Sequence, residues 1–360
     1  MLKSLSPKHS QIIFLIPPLR ALRYSHESST AILQIVFLAA ILLLPGVCSI
    51  LQVVNPAFAE SSNVQQLREK NLCQGCNLKQ AILRGAYLSG ANLVKANLQE
   101  SDLRDVNLVK ADLRRANLKN ADLRGANLRG ANLQGVNLWG ANLKNINIDE
   151  AATSTLDDKW LQVYQLVNHP GEIKELQNAD LQGANLSYAK LTKIDFTGAN
   201  LADVNLANAN LEGTQLKGVN FQKANLSGAI FSANTIWEGV NLIKADLHGT
   251  DLRGIQLNQV KMKEANLSEA NLSNAGIKSV DLQKVNLSNA NLRQAKFEDS
   301  NLSGVNFQGA DLSNTSFTNI KLNRVNFKNA NLQGAEISIE KLPSSSLCGA
   351  IMPDGIRHKC

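Results

Sequence analysis

The chain repeats a pattern every five residues over most of its length, and this period limits the backbone more than any other feature. Fifteen consecutive units run from residue 76 to 150, each with Leu or Ile at its centre, from Leu78 to Ile148. The residue two before the centre is Ala in ten of these units, and the residue directly before the centre is mostly Asn or Asp. We call these the small, Asx and central positions, and the two residues after the centre the following and corner positions.

The repeat resumes after an interruption. Eleven units have centres from Leu181 to Phe231, one residue is added around Trp237, and twenty more units have centres from Leu242 to Ile337. Together the 46 units cover 230 of the 360 residues, so one repeating architecture accounts for most of the chain.

A five-residue period excludes the α-helix, because positions two residues apart lie on opposite sides of a helix and successive units rotate around it. In a strand, residues two apart share a face, so the small and central residues point to one side and the Asx residue to the other. Five is an odd number, so each unit must also contain a corner that restores the phase. Short extended segments joined by corners wind into a β-solenoid with the apolar positions inside.

The composition fits a narrow, regular interior. Hydrophobic residues make up 44% of the chain but aromatic residues only 5%, so Leu, Ala, Val and Ile must fill the core. A charged fraction of 19% with this much Leu argues against disorder, and five Cys are too few for a disulfide-rich scaffold. We therefore predict an all-β fold.

Tandem units of the form A(N/D)LxG resemble the pentapeptide-repeat family, over about two thirds of the chain. The resemblance implies a right-handed quadrilateral β-helix with four units per coil, nearly four coils in the first array and about eight in the second. Residues 20 apart then stack, so Phe297 is expected on Phe317 and Phe307 on Phe327. The same spacing gives a core ladder of Leu83, Leu103, Leu123 and Leu143.

These observations divide the chain into six segments. We predict a signal peptide or membrane anchor, an N-terminal cap, a first array, a linker with a helix, a second array and a non-repeat C-terminal cap at residues 1–59, 60–75, 76–150, 151–176, 177–337 and 338–360. Caps are expected because solenoid ends expose unpaired strand edges and an open apolar bore. Residues 63–70 should form a short capping helix, and the residue added near Trp237 should form a bulged corner with Trp237 outside.

The interruption between the arrays predicts an amphipathic helix of about 13 residues. Thr155 and Asp158 suit a capping box, and Asn168-His169-Pro170-Gly171 is a stop signal. One face carries Leu156, Trp160, Val163 and Val167. The helix is either a plug that packs on the solenoid where the arrays meet or a docking knob for a partner, and we favour the plug.

The N-terminal segment has the organisation of an export signal. Four basic residues precede an apolar stretch at 31–54, and Ala57-Phe58-Ala59 is a small-x-small cleavage motif. The stretch is also long enough to span a bilayer uncleaved. A cleaved signal peptide and a retained anchor therefore both stay open, ahead of a buried soluble helix. Either places the body in the periplasm or a thylakoid lumen, or tethers it to the membrane facing that space.

Two cysteine pairs lie at opposite ends of the predicted rod. Cys73 and Cys76 precede the first array, and Cys348 and Cys360 follow the second. The sequences around both pairs resemble exported cyanobacterial-type members of the family. Removal of the leader takes Cys48 with it and leaves an even count, so an oxidising compartment permits two disulfides. Redox catalysis is not expected, because the first pair falls on inward positions rather than at a helix N-terminus.

The sequence contains no recognisable catalytic or cofactor site. It has no phosphate loop, no Ser/His/Asp arrangement and no glycine-rich nucleotide signature, and the two cysteine pairs lie too far apart to share a zinc ion. The many Asp residues occupy Asx positions, where they favour turns. We therefore predict a protein that is not an enzyme and that has no cofactor and no metal.

The charge of the chain argues against nucleic acid as a partner. The formal net charge is +7 for the whole chain and +4 for residues 60–360, without a concentrated basic footprint. A DNA mimic, like the gyrase-protecting members of the family, needs an acidic surface in the cytosol. This chain has an export signal and a net positive body instead.

One surface pattern is a candidate binding site. The following position is basic in eight of the fifteen first-array units, and four of these residues are spaced by 20. They form what we call the basic column: Arg84, Arg104, Arg124 and Lys144. Such a column suits an acidic partner or anionic lipid headgroups. The alternative is an ordinary solvated face, since this position is often basic and Asp102 and Asp105 dilute the charge.

The leading hypothesis is an exported, non-enzymatic rod that serves as a protein-binding or scaffolding surface for a protein partner that the sequence does not identify. A membrane-anchored organiser is the alternative, and it differs only in whether residues 31–54 stay attached. A gyrase-type DNA mimic is less expected, because of the charge and the leader.

Export predicts a mature protein that begins at Glu60. Cleavage after Ala59 follows from the small-x-small motif behind the apolar stretch. N-terminal sequencing of the protein from fractionated cells checks this. A full-length chain in the membrane fraction would instead establish the anchor, and a full-length chain in the soluble cytosolic fraction would contradict both.

Overall fold

The computed structural model describes residues 62–232, 235–338 and 346–360. The predicted leader, with its apolar stretch and cleavage motif, lies outside the described residues. Residues Ser62–Cys360 form one compact unit. Within the described ranges, no helix has the length and apolar character needed to cross a membrane.

One coil of the solenoid comprises four pentapeptide units. A parallel bridge joins Asn97 to Asn117, and the same step of 20 recurs through both arrays. Backbone bonds hold the coils together: the amide of Leu123 donates to the carbonyl of Asn142 at 3.0 Å, and the amide of Asn142 donates to Ala121 at 2.9 Å. Residues 20 apart therefore stack in columns along the coil axis.

Each unit turns at its corner position, where the backbone is left-handed. Asn120 and Gly125 have φ angles of 57° and 71°, and corner residues of other units have similar values. The next small residue closes the turn, since the amide of Ala121 donates to the carbonyl of Leu118 at 2.9 Å. Gly and Asn adopt this conformation most readily, which accounts for their frequency at the corner.

Few segments are long enough to form named helices or strands. Helix α1 spans Ser62–Lys70, α2 spans Glu150–Thr153 and α3 spans Asp158–Asn168. Four short strands form one parallel sheet in the order β1-β2-β3-β4. Strands β1 to β4 are Gln256–Asn258, Gly276–Lys278, Lys296–Glu298 and Ser316–Thr318. Elsewhere isolated parallel bridges join the coils.

The central and small positions line a continuous apolar core. No member of the predicted leucine ladder is more than 2% exposed. Its members are Leu83, Leu103, Leu123 and Leu143. Phe297 stacks on Phe317 with ring centroids 4.9 Å apart, and Phe307 stacks on Phe327 at 5.2 Å. Both predicted phenylalanine stacks are confirmed, because a step of one full coil brings equivalent positions into contact.

The prediction for Trp237 was wrong. Its side chain is only 1% exposed and packs edge-on against Phe231, with ring centroids 4.8 Å apart. Gln215 bridges to Ile236, a step of 21 rather than 20, so the next residue, Trp237, takes the central position. The added residue therefore lies between the central positions of Phe231 and Trp237. The sequence left this open because an insertion fits on either side of an apolar residue.

The Asx position forms hydrogen bonds in two directions. Oδ1 of Asn117 accepts the amide of Lys119 at 3.2 Å, and Nδ2 of Asn117 donates to Oδ1 of Asn97 at 3.4 Å. The bond between coils recurs in the second array, where Asn220 donates to Asn200 at 3.0 Å. An Asp can replace the acceptor but not the donor, so Asn suits the interior of a column.

Side chains of Asp149 and of the linker take the place of a further coil at the end of the first array. Three backbone amides of the last coil donate to them at 2.7 to 2.8 Å. The pairs are Gly130 with Asp149 Oδ1, Leu133 with Thr155 Oγ1, and Asn145 with Asn168 Oδ1. The predicted capping box at Thr155 is therefore wrong. Asp157 is the N-cap of α3 and makes no side-chain cap bond.

Helix α3 packs into the solenoid core. Its buried residues are Trp160, Val163 and Leu166. They belong to the same apolar cluster as both arrays, as expected of a plug rather than a docking knob. The second array also contacts the first directly, because the amide of Gly140 donates to the carbonyl of Gly183 at 2.7 Å. The ring of Trp139 covers the α-carbon of Gly183.

The coil register extends beyond the predicted limits of the arrays. Leu72 already bridges to the next coil, and Leu176 takes a central position, with its amide bonded to Asp195 at 2.9 Å. At the other end Ile351 bridges to Asn331, so part of the predicted non-repeat cap continues the solenoid. The register extends because backbone bonds carry it, and these need no particular side chain.

A charge in a central position should destabilise the fold far more than the same charge outside. Leu123 is fully buried, so Leu123→Asp would bury a carboxylate without a partner and should cost about 3 kcal/mol or more. Gln134→Asp changes an exposed following position and should cost less than about 0.5 kcal/mol. Thermal unfolding compares the two variants. Equal losses of stability would refute the inward assignment of the central position.

The contact between Trp139 and Gly183 should make one glycine more sensitive than its equivalents. Gly183 and Gly218 have φ angles of 70° and 67°, so replacement by Ala costs the same in backbone strain. A Cβ at 183 would overlap the Trp139 ring, whereas a Cβ at 218 meets nothing within 4 Å. Urea unfolding should show that Gly183→Ala loses about 1–3 kcal/mol more than Gly218→Ala. Equal losses would mean that Trp139 does not pack there.

Candidate functional site: the basic column

The structure places the residues of the basic column along one side of the first array. They are Arg84, Arg104, Arg124 and Lys144. The residues two places before them form an unbroken line of parallel bridges, from Ile82 through Asp102 and Asp122 to Asn142. Because neighbouring strands lie about 4.8 Å apart, each basic side chain can reach carboxylates of its own coil and of the next.

Carboxylates of the same surface neutralise much of this charge. Nε of Arg104 donates to Oδ1 of Asp102 at 2.7 Å and lies 3.7 Å from Oδ2 of Asp122. Arg124 makes a two-pronged contact with Asp122, at 2.9 Å from Nε and 2.6 Å from its terminal nitrogen. The middle of the column is therefore a ladder of alternating charges rather than a purely basic stripe.

The two ends of the column keep more accessible charge. Arg84 lies 3.6 Å from Asp105, and its side chain is 57% exposed. At the other end, no carboxylate among the described residues pairs with Lys144. Exposed ion pairs are weak and exchange readily with solvent. An acidic ligand would therefore meet available cations first at these two ends.

Hydrogen bonds lower the pKa values of the column's carboxyl groups. The side-chain bond from Arg104 holds the pKa of Asp102 below its ordinary value. Burial alone would raise the pKa of Asp122, but bonds from the side chain and backbone of Arg124 lower it overall. These pairs stabilise the fold above the ordinary Asp range, and the contribution is lost as the pH falls through the lowered pKa values.

The structure also brings each cysteine pair together. The Cα atoms of Cys73 and Cys76 are 5.1 Å apart and those of Cys348 and Cys360 are 4.5 Å apart, both within the range of protein disulfides. Sγ of Cys73 lies 3.4 Å from the carbonyl of Asn63 in α1. Oxidation would therefore tie down the two ends of the solenoid, where fraying is easiest.

Other chemistry is sparse in the part of the chain that the structure describes. That part contains no group of His, Cys, Asp and Glu able to hold a metal ion. Two shallow depressions have volumes of about 300 and 410 Å³, one lined by Phe231 and Arg253 among others and the other by Trp237 and Gln256 among others. Neither depression is lined by a histidine or a cysteine.

The sequence analysis overlooked a set of exposed apolar residues. Leu72, Ile82 and Tyr87 are 54%, 73% and 81% exposed. All three occupy Asx positions of the first coil. The signal that could have revealed them is an apolar residue where the repeat otherwise has Asn or Asp.

Comparison with known proteins identifies the repeat. A family model described as pentapeptide repeats matches residues 72–108, 111–148 and, in overlapping copies, 175–338. None of the curated proteins matches the chain.

Several solved structures are also similar. QnrB1, a plasmid-mediated fluoroquinolone resistance protein, is 21% identical over 46% of this chain and 82% of its own, with a TM-score of 0.34. HetL, a pentapeptide-repeat protein from the cyanobacterium Nostoc involved in regulation of heterocyst differentiation, is 26% identical over 80% and 91%, with a TM-score of 0.18. A pentapeptide-repeat protein of the Arabidopsis thaliana thylakoid lumen is 24% identical over 43% and 66%, with a TM-score of 0.13.

Substitution of Arg104 should raise the pKa of Asp102. Arg104→Gln removes the hydrogen bond that lowers this pKa most, so the pKa should rise toward the ordinary Asp value. NMR titration of the side-chain carboxyl carbons measures it. Asp112 is the control, because its lowered pKa depends on Arg114 and should not change. An unchanged Asp102 would mean that the column's ion pairs do not form in solution.

Protein taken from an oxidising compartment should carry two disulfides. In the chain from Glu60, intact-mass analysis should find no alkylated thiol before reduction and four after it. Replacing Cys348 and Cys360 by Ser should lower the unfolding free energy by about 2 to 3 kcal/mol, since the loop between them is short. Four alkylated thiols without reductant would make these cysteines plain packing residues.

Proposed function

Because this chain belongs to the pentapeptide-repeat family, whose members are generally structural or binding proteins, we propose that it is a non-enzymatic, exported rod that presents its outer columns to a protein partner. The family fold is a right-handed β-helix solenoid. We further infer that the four corners of each coil give a quadrilateral cross-section with four flat sides.

The stacking of outward residues at a fixed step of 20 is the observation that carries this proposal. Each coil is bonded to the next through its backbone, so the outward side chains hold fixed positions relative to one another. Binding of a ligand across several columns then costs less conformational entropy than binding to mobile loops, because the surface of the rod is already ordered. A rigid surface of this kind suits recognition of an extended partner.

The basic column is the proposed contact for an acidic segment of that partner. Its end residues Arg84 and Lys144 supply accessible cations, and the guanidinium groups between them can exchange an internal carboxylate for an external one. Exchange of one ion pair for another changes the energy little. The column should therefore contribute orientation and association rate more than affinity.

The proposed compartment is the periplasm or a thylakoid lumen. The apolar stretch at residues 31–54, the cleavage motif after it and the two cysteine pairs at bonding distance all support an exported, oxidising location. If the stretch is retained instead of cleaved, the same rod becomes a membrane-anchored organiser. DNA mimicry is disfavoured, because the body carries a net positive charge.

Photo-crosslinking in the source cells tests the proposed contact. A crosslinking amino acid at Asn145, the exposed corner residue directly after Lys144 of the column, captures the partner in the full-length chain. The double variant Arg84→Glu and Lys144→Glu should reduce capture of that same protein by about tenfold, because it reverses the two accessible charges.

The matched control reverses two charges far from the column. Lys296 and Lys328 are exposed residues in late coils of the second array, and Lys296→Glu with Lys328→Glu changes the net charge by the same amount. This control should leave capture within about twofold of the unmodified chain. Equal loss in both variants would mean that net charge, and not the column, attracts the partner. No crosslinked protein at any exposed position would contradict the scaffolding role.

A further inference from the structure

Three apolar side chains stand out from the surface of the first coil. Leu72, Ile82 and Tyr87 point outward and are mostly exposed. One coil later the same columns carry polar residues, namely Asn92, Asp102 and Asn107. We call these three apolar residues the collar. Other large exposed apolar residues of the described chain, such as Tyr188 and Ile356, lie far from it in sequence.

The collar faces several directions at one level of the solenoid. Leu72 and Ile82 are two units apart, which is half of the four-unit coil, so they lie on opposite sides. Tyr87 lies on the side between them. A flat protein surface would contact one or two of these sides. Helix α1 caps this coil, with Asn63 and Arg68 donating to the carbonyls of Asn77 and Ile82. A medium that surrounds α1 and the first coil contacts all three apolar residues together.

A bilayer interface is such a medium, and the proposed signal or anchor segment would bring the chain to one. Only seven residues, 55–61, separate the apolar stretch at 31–54 from the start of α1. Fully extended, they reach about 25 Å, so a retained stretch would keep the first coil near the membrane surface. Tyr is enriched at that interface, and peripheral segments bury Leu and aromatic side chains there.

The local charge fits anionic headgroups. Residues 62–95 contain five basic residues and one acidic residue. Lys79 and Arg84 lie 3.7 and 3.6 Å from Glu100 and Asp105 of the next coil, which weakens their attraction for lipid. The apolar collar should therefore supply most of the binding, with a smaller contribution from charge.

We propose that the collar is a membrane-contact site, which seats the first coil in the interface of an anionic lipid bilayer. The site acts in addition to the leader, because it belongs to the folded unit and stays after cleavage. A short apolar contact alone binds lipid reversibly, whereas two such elements together give stable attachment. This inference rests on the proposed exported placement of the rod beside a membrane.

The experiment uses the chain from Glu60, which keeps the whole compact unit Ser62–Cys360 and its core. Binding to sedimented vesicles of equal parts phosphatidylglycerol and phosphatidylcholine is measured. The test variant combines Leu72→Asn, Ile82→Asn and Tyr87→Asn. Asn occupies the same columns in later coils, at Asn92, Asn142 and Asn107, so the fold should be kept. Thermal unfolding of each variant checks this.

The control combines Ile230→Asn with Ile236→Gln, which removes two exposed apolar residues from the second array. Asn210 and Gln215 are their neighbours one coil earlier. The collar variant should lose at least about tenfold in vesicle binding, and the control should stay within about twofold.

Three outcomes would overturn the proposal. The first is that the unmodified chain does not bind vesicles. The second is that the collar variant still binds and that salt abolishes the binding, which would make it purely electrostatic. The third is that the unmodified chain self-associates and the collar variant does not. The last would assign the collar to a second copy of the chain. The assay contains no protein partner, so its failure leaves the proposed protein-binding function standing, and loss of partner capture leaves the collar standing.

Discussion

Backbone hydrogen bonds between successive coils are the constraint on which the rest of this structure depends. The amide of a central residue donates to a carbonyl in the next coil, as from Leu123 to Asn142, and the amide of an Asx residue donates to one in the preceding coil, as from Asn142 to Ala121. These two bonds fix the length of the coil at four units, and a corner in every unit keeps the apolar positions inside. The inward side chains then have only to fill the bore, and the outward Asn side chains add hydrogen bonds from one coil to the next.

The same constraint explains the parts of the fold that are not repeats. Amides at the end of the first array have no further coil, so Asp149, Thr155 and Asn168 supply side-chain oxygens in its place. Helix α3 covers the apolar bore that these bonds leave open, and Gly183 allows the ring of Trp139 to approach the second array. An interruption in a solenoid must replace both the hydrogen bonds and the burial of a coil, and this linker does both.

The period of the sequence was enough to predict the inward Leu positions and the stacking of Phe297 on Phe317, because both follow from geometry that every unit repeats. Single events were harder. The sequence does not say on which side of Trp237 the extra residue lies. It also does not show that the Thr155 hydroxyl accepts the backbone amide of Leu133 and is therefore not part of a capping box. The basic column was visible as a spacing, but its neutralisation depends on side-chain conformations at Asp102 and Asp122. That makes the column a charge ladder with accessible ends, which is why we propose that it orients a partner more than it attracts one.

The central claim is that outward residues one full coil apart stand in register, since the basic column, the Asn bonds and the collar all depend on it. Electron paramagnetic resonance of paired nitroxide labels measures this directly in the chain from Glu60 with its four native cysteines oxidised. Labels at Asn97→Cys and Asn117→Cys should be attached one strand spacing apart, about 5 Å, and show strong spin exchange. Labels at Asn97→Cys and Asp112→Cys, three units apart, should lie on different sides and show none. Strong exchange in the second pair, or its absence in the first, would contradict the four-unit coil.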